Sequence, residues 1–115
     1  MKLTLPIPPS INHMYVGPKR AMNTEARAWF VEARLLLCVQ VREQRWKMTS
    51  ATWLYADMKF YMPDRRRRDS HNTIKILLDV MEGQVYENDF YVMPRIQVVS
   101  YDKRNPRVEI EFSEA

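Results

Sequence analysis

The chain has 115 residues, of which 46% are hydrophobic, and 18 Lys and Arg against 14 Asp and Glu give it a formal net charge of +4. This length and composition predict one domain over residues 1–115, with a modest core that needs no metal or disulfide to fold. The single cysteine, Cys38, excludes an intrachain disulfide, and we expect a cytoplasmic protein with no signal peptide and no membrane-spanning segment.

The first predicted element is a short strand from Lys2 to Ile7. Prolines lock φ and bias the residue before them toward extended geometry, so the proline-rich stretch after this strand predicts a rigid loop. This loop carries the adjacent cations Lys19 and Arg20.

A long helix is predicted next, capped by Asn23 or Thr24 and ending near Glu43. Cys38 lies inside this helix, and we expect it to be a buried small hydrophobe rather than a nucleophile. Apolar residues recur at helical spacing and form the predicted core-facing stripe: Ala26, Trp29, Phe30, Ala33, Leu36, Leu37 and Val41.

The second half of the chain predicts a strand, a helix and two further strands. From Thr52 to Met62, apolar and polar residues alternate with period two, which is typical of a half-buried strand. A helix is predicted from about His71 to Met81, ending at Gly83, followed by strands over Val92 to Tyr101 and Arg107 to Phe112. The order β-α-β-α-β-β predicts an α+β domain with a mixed sheet and two helices covering one face.

An unusual charge pattern lies before the second helix. Arginines attract phosphate, whereas carboxylates repel it unless a cation lies between them. Side chains of both kinds in one stretch indicate a surface that binds metal and nucleic acid together, which is typical of a metal-dependent nuclease. The alternative is a solvated arginine face followed by a helix-capping aspartate. The residues are Arg65, Arg66, Arg67, Arg68, Asp69, Ser70, His71 and Asn72, then Lys75 and Asp79, and later the acidic turn Glu87, Asn88 and Asp89.

The second predicted helix separates polar from apolar residues. On a wheel advancing about 100° per residue, Lys75, Asp79 and Asn72 all lie within about 100° of His71. The opposite arc is apolar and packs on the sheet; it contains Ile74, Leu77, Leu78 and Met81. The polar arc fits a ligand-binding surface, and the alternative is an ordinary polar face with a Lys75–Asp79 pair at i,i+4.

The stretch from Arg68 to Asp89, R-D-S-H-N-T-I-K-I-L-L-D-V-M-E-G-Q-V-Y-E-N-D, resembles the core signature of the RusA family of Holliday junction resolvases. These crossover junction endodeoxyribonucleases are commonly carried by prophages. The segments P-I-P-P-S-I-N and M-P-D-R-R-R-R-D also resemble the family, and the similarity extends from Leu3 to the last strand.

The resemblance assigns roles to individual residues. Asp69 and Asp89 match the first and third catalytic aspartates, and Lys75 matches the catalytic lysine. Asn72 matches the motif asparagine. Two further matches are Asp79 as the helix aspartate and Arg68 as the arginine beside the first aspartate.

Two positions depart from the family pattern and lower the negative charge of the site. His71 occupies the place of the second catalytic aspartate, and Asn88 replaces the first member of the acidic pair. We favour His71 as a metal ligand beside Asp69 and Asp89, with Glu87 as an extra carboxylate; imidazole suits Mn²⁺ better than Mg²⁺. The alternatives are a general base, a phosphate contact when protonated, or a site that has decayed.

The resemblance implies divalent-metal-dependent cleavage of four-way DNA junctions, with Mg²⁺ or Mn²⁺ as the cofactor and a homodimer matching the two-fold symmetry of the junction. The alternative is a non-catalytic protein that binds branched DNA. The expected catalytic residues are Asp69, His71, Lys75 and Asp89. The expected metal ligands are Asp69, His71 and Asp89. The expected DNA-binding residues are Arg65, Arg66, Arg67, Arg68, Asn72, Lys19, Arg20 and Lys59.

Overall fold

A computed structural model of the chain describes residues 1–9, 15–16, 21–66 and 70–115. The predicted order of elements is confirmed. The strands of this described part are β1 Lys2–Leu5, β2 Tyr15–Val16, β3 Ala21–Met22, β4 Leu54–Met62, β5 Val92–Tyr101 and β6 Arg107–Glu114. The α-helices are α1 Thr24–Glu43 and α2 Ile74–Met81, and two short 3₁₀ helices span Ser70–Thr73 and Asp89–Tyr91.

The main sheet has four strands in the order β1-β6-β4-β5. The central strand β4 pairs in parallel with β5 and antiparallel with β6, which in turn pairs antiparallel with β1. The sheet is therefore mixed, as predicted. A separate antiparallel pair joins β2 to β3 in the region that the sequence predicts as a loop. Each of these strands has two residues, which is too short for a periodic pattern to reveal it.

Both helices pack against one face of the sheet, so the core lies between a sheet layer and a helix layer. Along β4, buried residues alternate with more exposed ones, as the period-two pattern predicts. The core on this face includes Leu54, Ala56, Met58, Phe60 and Met62 of β4, Trp29, Ala33 and Leu37 of α1, and Ile76, Leu77, Val80 and Met81 of α2.

The α1 helix begins at its predicted cap, because Asn23 Oδ1 accepts a hydrogen bond from the backbone N–H of Ala26 at 2.8 Å. The prediction that Cys38 is buried is wrong, since its side chain is exposed. Leu37 points into the core, and the next residue lies about 100° further around the helix, which places Cys38 on the solvent side. Helical position, not hydrophobicity, decides its environment.

The second helix is shorter than predicted. His71 lies in the 3₁₀ turn Ser70–Thr73, closed by a hydrogen bond from Thr73 Oγ1 to the Ser70 carbonyl at 2.7 Å, and α2 proper begins at Ile74. The helix ends where predicted, and Gly83 adopts φ +86°, which favours a residue without Cβ. Because α2 joins the parallel strands β4 and β5, its C-terminal end lies near the start of β5.

None of the helices in the described ranges is both long enough and apolar enough to cross a membrane.

Candidate active site

Three charged residues lie near enough to Asp79 of α2 for their charges to affect its carboxyl group. Lys75 and Asp79 lie one turn apart on the helix, and Glu82 is its C-cap residue. Asp89 begins the short 3₁₀ helix that leads into β5. The charges of Lys75, Glu82 and Asp89 all act on the carboxyl group of Asp79. We call Asp79, Glu82 and Asp89, with Lys75 beside them, the acidic cluster. These residues lie up to fourteen positions apart in the sequence.

Asp79 is partly buried, as are Glu82 and Asp89. Burial raises the pKa of its carboxyl group above the ordinary value, and the Lys75 ammonium acts in the opposite direction. The carboxylates of Asp89 and Glu82 raise this pKa further. Repulsion from these two carboxylates favours the protonated form of Asp79.

Glu82 fixes the backbone of Asp89. Its Oε1 accepts a hydrogen bond from the Asp89 N–H at 3.1 Å. The main chain of Glu82 is itself held by α1, because Arg34 Nη1 donates to the carbonyls of Val80 at 3.3 Å and Glu82 at 3.4 Å. A guanidinium at this position also complements the negative end of α2. The geometry of the acidic cluster therefore depends on α1 as well as α2.

The loop between α2 and β5 is anchored on both sides. Trp46 Nε1 donates to the Val85 carbonyl at 2.9 Å, and Tyr86, a buried residue, donates its hydroxyl to the Leu78 carbonyl at 2.7 Å. Burial and the nearby carboxylates raise the pKa of Tyr86, so it stays protonated and remains a donor. These contacts hold the loop, and with it Asp89, in one conformation.

The two residues before Asp89 have structural partners of their own. Asn88 caps the 3₁₀ helix, since its Oδ1 accepts from the Phe90 N–H at 2.9 Å. Glu87 is exposed, and its Oε2 accepts from Ser50 Oγ at 2.7 Å. The amide of Asn88 thus performs a capping task that a carboxylate would also perform. Glu87 as an extra metal ligand stays a prediction.

The remaining predicted metal ligands belong to the approach to α2. His71 is exposed and Asn72 is half-buried, both in the 3₁₀ turn before the helix. Asp69, which directly precedes this turn, lies outside the described residues. Within residues 1–9, 15–16, 21–66 and 70–115, no three His, Cys, Asp or Glu side chains are grouped so as to hold a metal ion. The described part of the site is thus an incomplete ligand set, and the expected role of Asp69 stays a prediction.

The described part of the arginine run lies beyond the C-terminal end of β4. Arg65 and Arg66 are exposed, and the Arg65 guanidinium carbon lies 5.3 Å from the centre of the Tyr101 ring at the end of β5. The backbone of Arg66 is held by a hydrogen bond to Asp64 Oδ1 at 2.8 Å. These side chains face solvent near the start of α2, while the acidic cluster lies toward its other end. Arg67, Arg68, Lys19 and Arg20 lie outside the described residues.

Lys59 lies on the other face of the sheet. Its exposed side chain alternates with Met58 and Phe60, which point into the core beneath the helices. Carboxylates surround it there, including Glu109 directly opposite on β6. A DNA contact by Lys59 stays a prediction, and it would be made on the face away from α2.

Glu82 is the site residue that the sequence reasoning missed. It follows Asp79 by three positions, which places it about 60° from Asp79 on the same polar arc of the helical wheel. The i,i+3 spacing on that arc was the available signal. It was obscured because Glu82 directly precedes Gly83 and so looks like a residue of the helix-ending turn.

Comparison with protein families connects this site to a known group of enzymes. A family model described as Endodeoxyribonuclease RusA matches residues 6–113, which is nearly the whole chain and includes the arginine run, α2 and Asp89. A comparison with curated protein sequences gives no match. Because the family match covers both the fold and the acidic cluster, the chain belongs to the RusA family of endodeoxyribonucleases.

Proposed function

We propose that this protein is a divalent-metal-dependent, structure-specific endodeoxyribonuclease that resolves four-way Holliday junctions during DNA recombination and repair. The observation that carries the proposal is the match to the RusA family model over residues 6–113, a range that includes Lys75, Asp79 and Asp89. We further propose that the protein acts in the cytoplasm.

Carboxylates and an imidazole are donors of the kind that divalent cations take. Carboxylate oxygens suit Mg²⁺, and an imidazole nitrogen shifts the preference toward Mn²⁺. We assign the metal to Asp69, His71 and Asp89. When bound, the ion supplies a Lewis acid at the scissile phosphate and lowers the pKa of an attacking water.

The cationic residues supply the remaining functions. Lys75 is exposed on the first turn of α2, where its ammonium stabilises negative charge that develops on the phosphate or the leaving oxygen. Arg65 to Arg68 contact the phosphate backbone and set the register of the junction arms, and Asn72 contributes a neutral hydrogen-bonding group. The arginines thus bind the DNA, while Lys75 acts on the reacting group.

A cleavage assay on a synthetic four-way junction tests this function. The purified protein is incubated with the junction, and separately with a linear duplex of the same sequence, in EDTA and with each of Mg²⁺, Mn²⁺, Co²⁺ and Ca²⁺. We expect metal-dependent, paired nicks in the junction and little cutting of the duplex. Binding without cleavage in every ion would instead support the alternative function, a branched-DNA-binding protein whose metal site has decayed through His71 and Asn88.

The proposal includes a homodimer, because paired cuts in a two-fold symmetric junction need two active sites. A candidate surface for the dimer lies on α1. Val31, Leu35 and Val39 follow one another at four-residue spacing and are 61%, 66% and 54% exposed. Residues at this spacing share one side of a helix, so they form an apolar stripe on the solvent side. A contiguous exposed apolar surface of this kind typically marks a protein interface.

The charges beside this stripe favour a second copy as its partner. Glu25 and Glu32 lie in the first half of α1, and Arg42 lies in its last turn. If two copies of α1 pack antiparallel and are centred on Leu35, each Arg42 lies opposite Ala28 of the other copy. It is then about one helical turn from both glutamates. The surface is therefore complementary to itself, as a two-fold interface requires.

Light scattering after size-exclusion chromatography tests the dimer surface. We expect the parent protein to be a dimer and Leu35→Arg to be a monomer, because the change places two cations at the centre of the interface. Val99→Arg is the matched control, since Val99 is similarly exposed but lies on the edge strand β5. A monomeric parent, or a Leu35→Arg variant that remains a dimer, contradicts this surface.

A further inference from the structure

Three aromatic rings form a cluster at the short helix that begins with Asp89. Trp53, Phe90 and Tyr91 pack against one another with ring centroids 5.6 Å apart for Trp53 and Phe90, 5.3 Å for Trp53 and Tyr91, and 5.1 Å for Phe90 and Tyr91. The outer two remain in contact with solvent, since Phe90 is 66% and Trp53 is 45% exposed. We call these three residues the aromatic platform.

The platform is held rigidly. The Phe90 N–H donates to Asn88 Oδ1 at 2.9 Å, and the Trp53 carbonyl accepts from the Ala115 N–H at 3.0 Å. Leu54 and Val92, the residues that follow Trp53 and Tyr91, are paired neighbours in the parallel strands β4 and β5. The sheet therefore fixes both halves of the platform. Phe90 does not fill the core, so the burial of its ring does not explain its presence at this position.

The position of the platform indicates what it binds. Phe90 directly follows Asp89, so its exposed ring lies on the same short helix as a proposed metal ligand. The three side chains of the platform are uncharged, so they neither attract nor repel a DNA phosphate. A flat neutral ring fits the face of a nucleobase, because aromatic side chains stack on bases of every type.

We propose that Phe90, supported by Trp53 and Tyr91, is a stacking site for an unstacked nucleobase at the branch point of the DNA, next to the phosphate that is cleaved. This inference rests on the proposed nuclease function. A paired base inside a duplex presents no free face, so the site selects branched DNA, where bases at the crossover are open to stacking. An aromatic residue at an opened base step also stabilises the distorted DNA. Selectivity for structure rather than sequence follows from this contact.

Fluorescence of 2-aminopurine tests the stacking site without relying on cleavage. The probe is placed either at the branch point of a four-way junction or in the middle of one arm, and binding is measured in EDTA. We expect the parent to change the fluorescence of the branch-point probe more than that of the arm probe. Phe90→Ala should abolish this difference and weaken junction binding by about 5- to 100-fold, which corresponds to the stacking free energy of one base.

Two variants control for folding and for general loss of apolar surface. Phe90→Tyr keeps the ring and should behave as the parent does in both measurements. Val99→Ala removes a comparably exposed side chain at the far end of β5 and should leave the fluorescence response unchanged. Thermal melting followed by circular dichroism establishes that Phe90→Ala is folded; if it is not, Phe90→Leu, which keeps the apolar volume without the ring, takes its place and should lose the response.

The outcomes separate this inference from the nuclease function. If Phe90→Ala retains the parent's affinity and fluorescence response, the stacking site is wrong, whether or not the parent cleaves junctions. If the parent binds and shows the response but cleaves in no metal, the nuclease function is wrong and the stacking site stands. A change in oligomeric mass by Phe90→Ala, with an unchanged fluorescence response, assigns the platform to a protein contact and also overturns the inference.

Discussion

The side chain of Glu82 holds the backbone of Asp89 through a hydrogen bond of 3.1 Å between Glu82 Oε1 and the Asp89 N–H. The bond joins the end of α2 to the start of the segment that leads into β5. Asp89 follows the loop after α2, and this hydrogen bond ties its backbone to the C-cap residue of α2. A site assembled in this way is sensitive to a residue that need not bind the metal itself.

We expect Glu82→Ala to lower junction cleavage by about 10- to 100-fold, in line with the loss of other groups that orient metal ligands. Glu82→Gln keeps an oxygen that accepts the Asp89 N–H and should recover most of the activity. Single-turnover cleavage rates at several Mg²⁺ concentrations measure the effect. A Gln variant as impaired as the Ala variant would show that the charge of Glu82, not its hydrogen bond, is what matters.

The second prediction concerns His71, which stands where the family pattern has an aspartate. If His71 is a metal ligand, cleavage by the parent should be faster with Mn²⁺ or Co²⁺ than with Mg²⁺. His71→Asp restores a carboxylate and should shift the preference toward Mg²⁺, whereas His71→Ala should be nearly inactive with every ion. Cleavage by His71→Ala at the parent rate would mean that His71 is neither a ligand nor a base.

The third prediction concerns the arginine run. Replacing Arg66 and Arg67 with alanine should weaken junction binding for all DNA sequences alike, because phosphate contacts carry no sequence information. Each lost contact should reduce the slope of log affinity against log salt by about 0.9. Arg27→Ala, which removes an exposed arginine of α1, is the control and should leave the slope nearly unchanged. An unchanged slope in the double variant would place these side chains away from the DNA.

The fourth prediction follows from the raised pKa of Asp79. A carboxyl group whose pKa is higher in the folded than in the unfolded state stabilises the fold below its ordinary pKa of 3.8 and loses that contribution as pH rises. At neutral pH the ionised group therefore costs stability, and Asp79→Asn should melt at a higher temperature than the parent in EDTA. The difference in melting temperature between the variant and the parent should shrink as the pH falls toward 3.8, because Asp79 is then protonated in the parent as well. If Asp79→Asn melts at a lower temperature than the parent at neutral pH, the ionised carboxylate of Asp79 does not destabilise the fold and the prediction is wrong.

Much of the fold could be predicted from the sequence, because its longer elements repeat one pattern many times. The period-two alternation of β4 and the apolar stripe of α1 each extend over many residues. The prediction that Leu36 belongs to this core-facing stripe is wrong, since Leu36 is exposed. Shorter features escaped because they lack a repeat. The paired strands β2 and β3 have two residues each, and the 3₁₀ turn Ser70–Thr73 differs from an α-helix in hydrogen bonding rather than in composition.

The site was predictable where one helix carries it and less so where loops contribute. Lys75 and Asp79 share a turn of α2, so their proximity follows from spacing alone. The approach of Asp89 depends on how the loop after α2 folds back, and the sequence indicates it only through the family resemblance. The stabilising hydrogen bond from Asp89 to Glu82 depends on side-chain direction at the helix end, which spacing does not determine.

In the proposed function the carboxylates serve metal-dependent cleavage, while the arginines bind the DNA. Cleavage and gel-shift affinity for a four-way junction, measured side by side for the parent, Asp69→Asn and Asp89→Asn, test it most directly. We predict that both variants lose cleavage in Mg²⁺ and Mn²⁺ but bind the junction as tightly as the parent or more tightly, because each removes a negative charge that opposes phosphate. Loss of binding together with cleavage, or cleavage retained by both variants, would contradict the account.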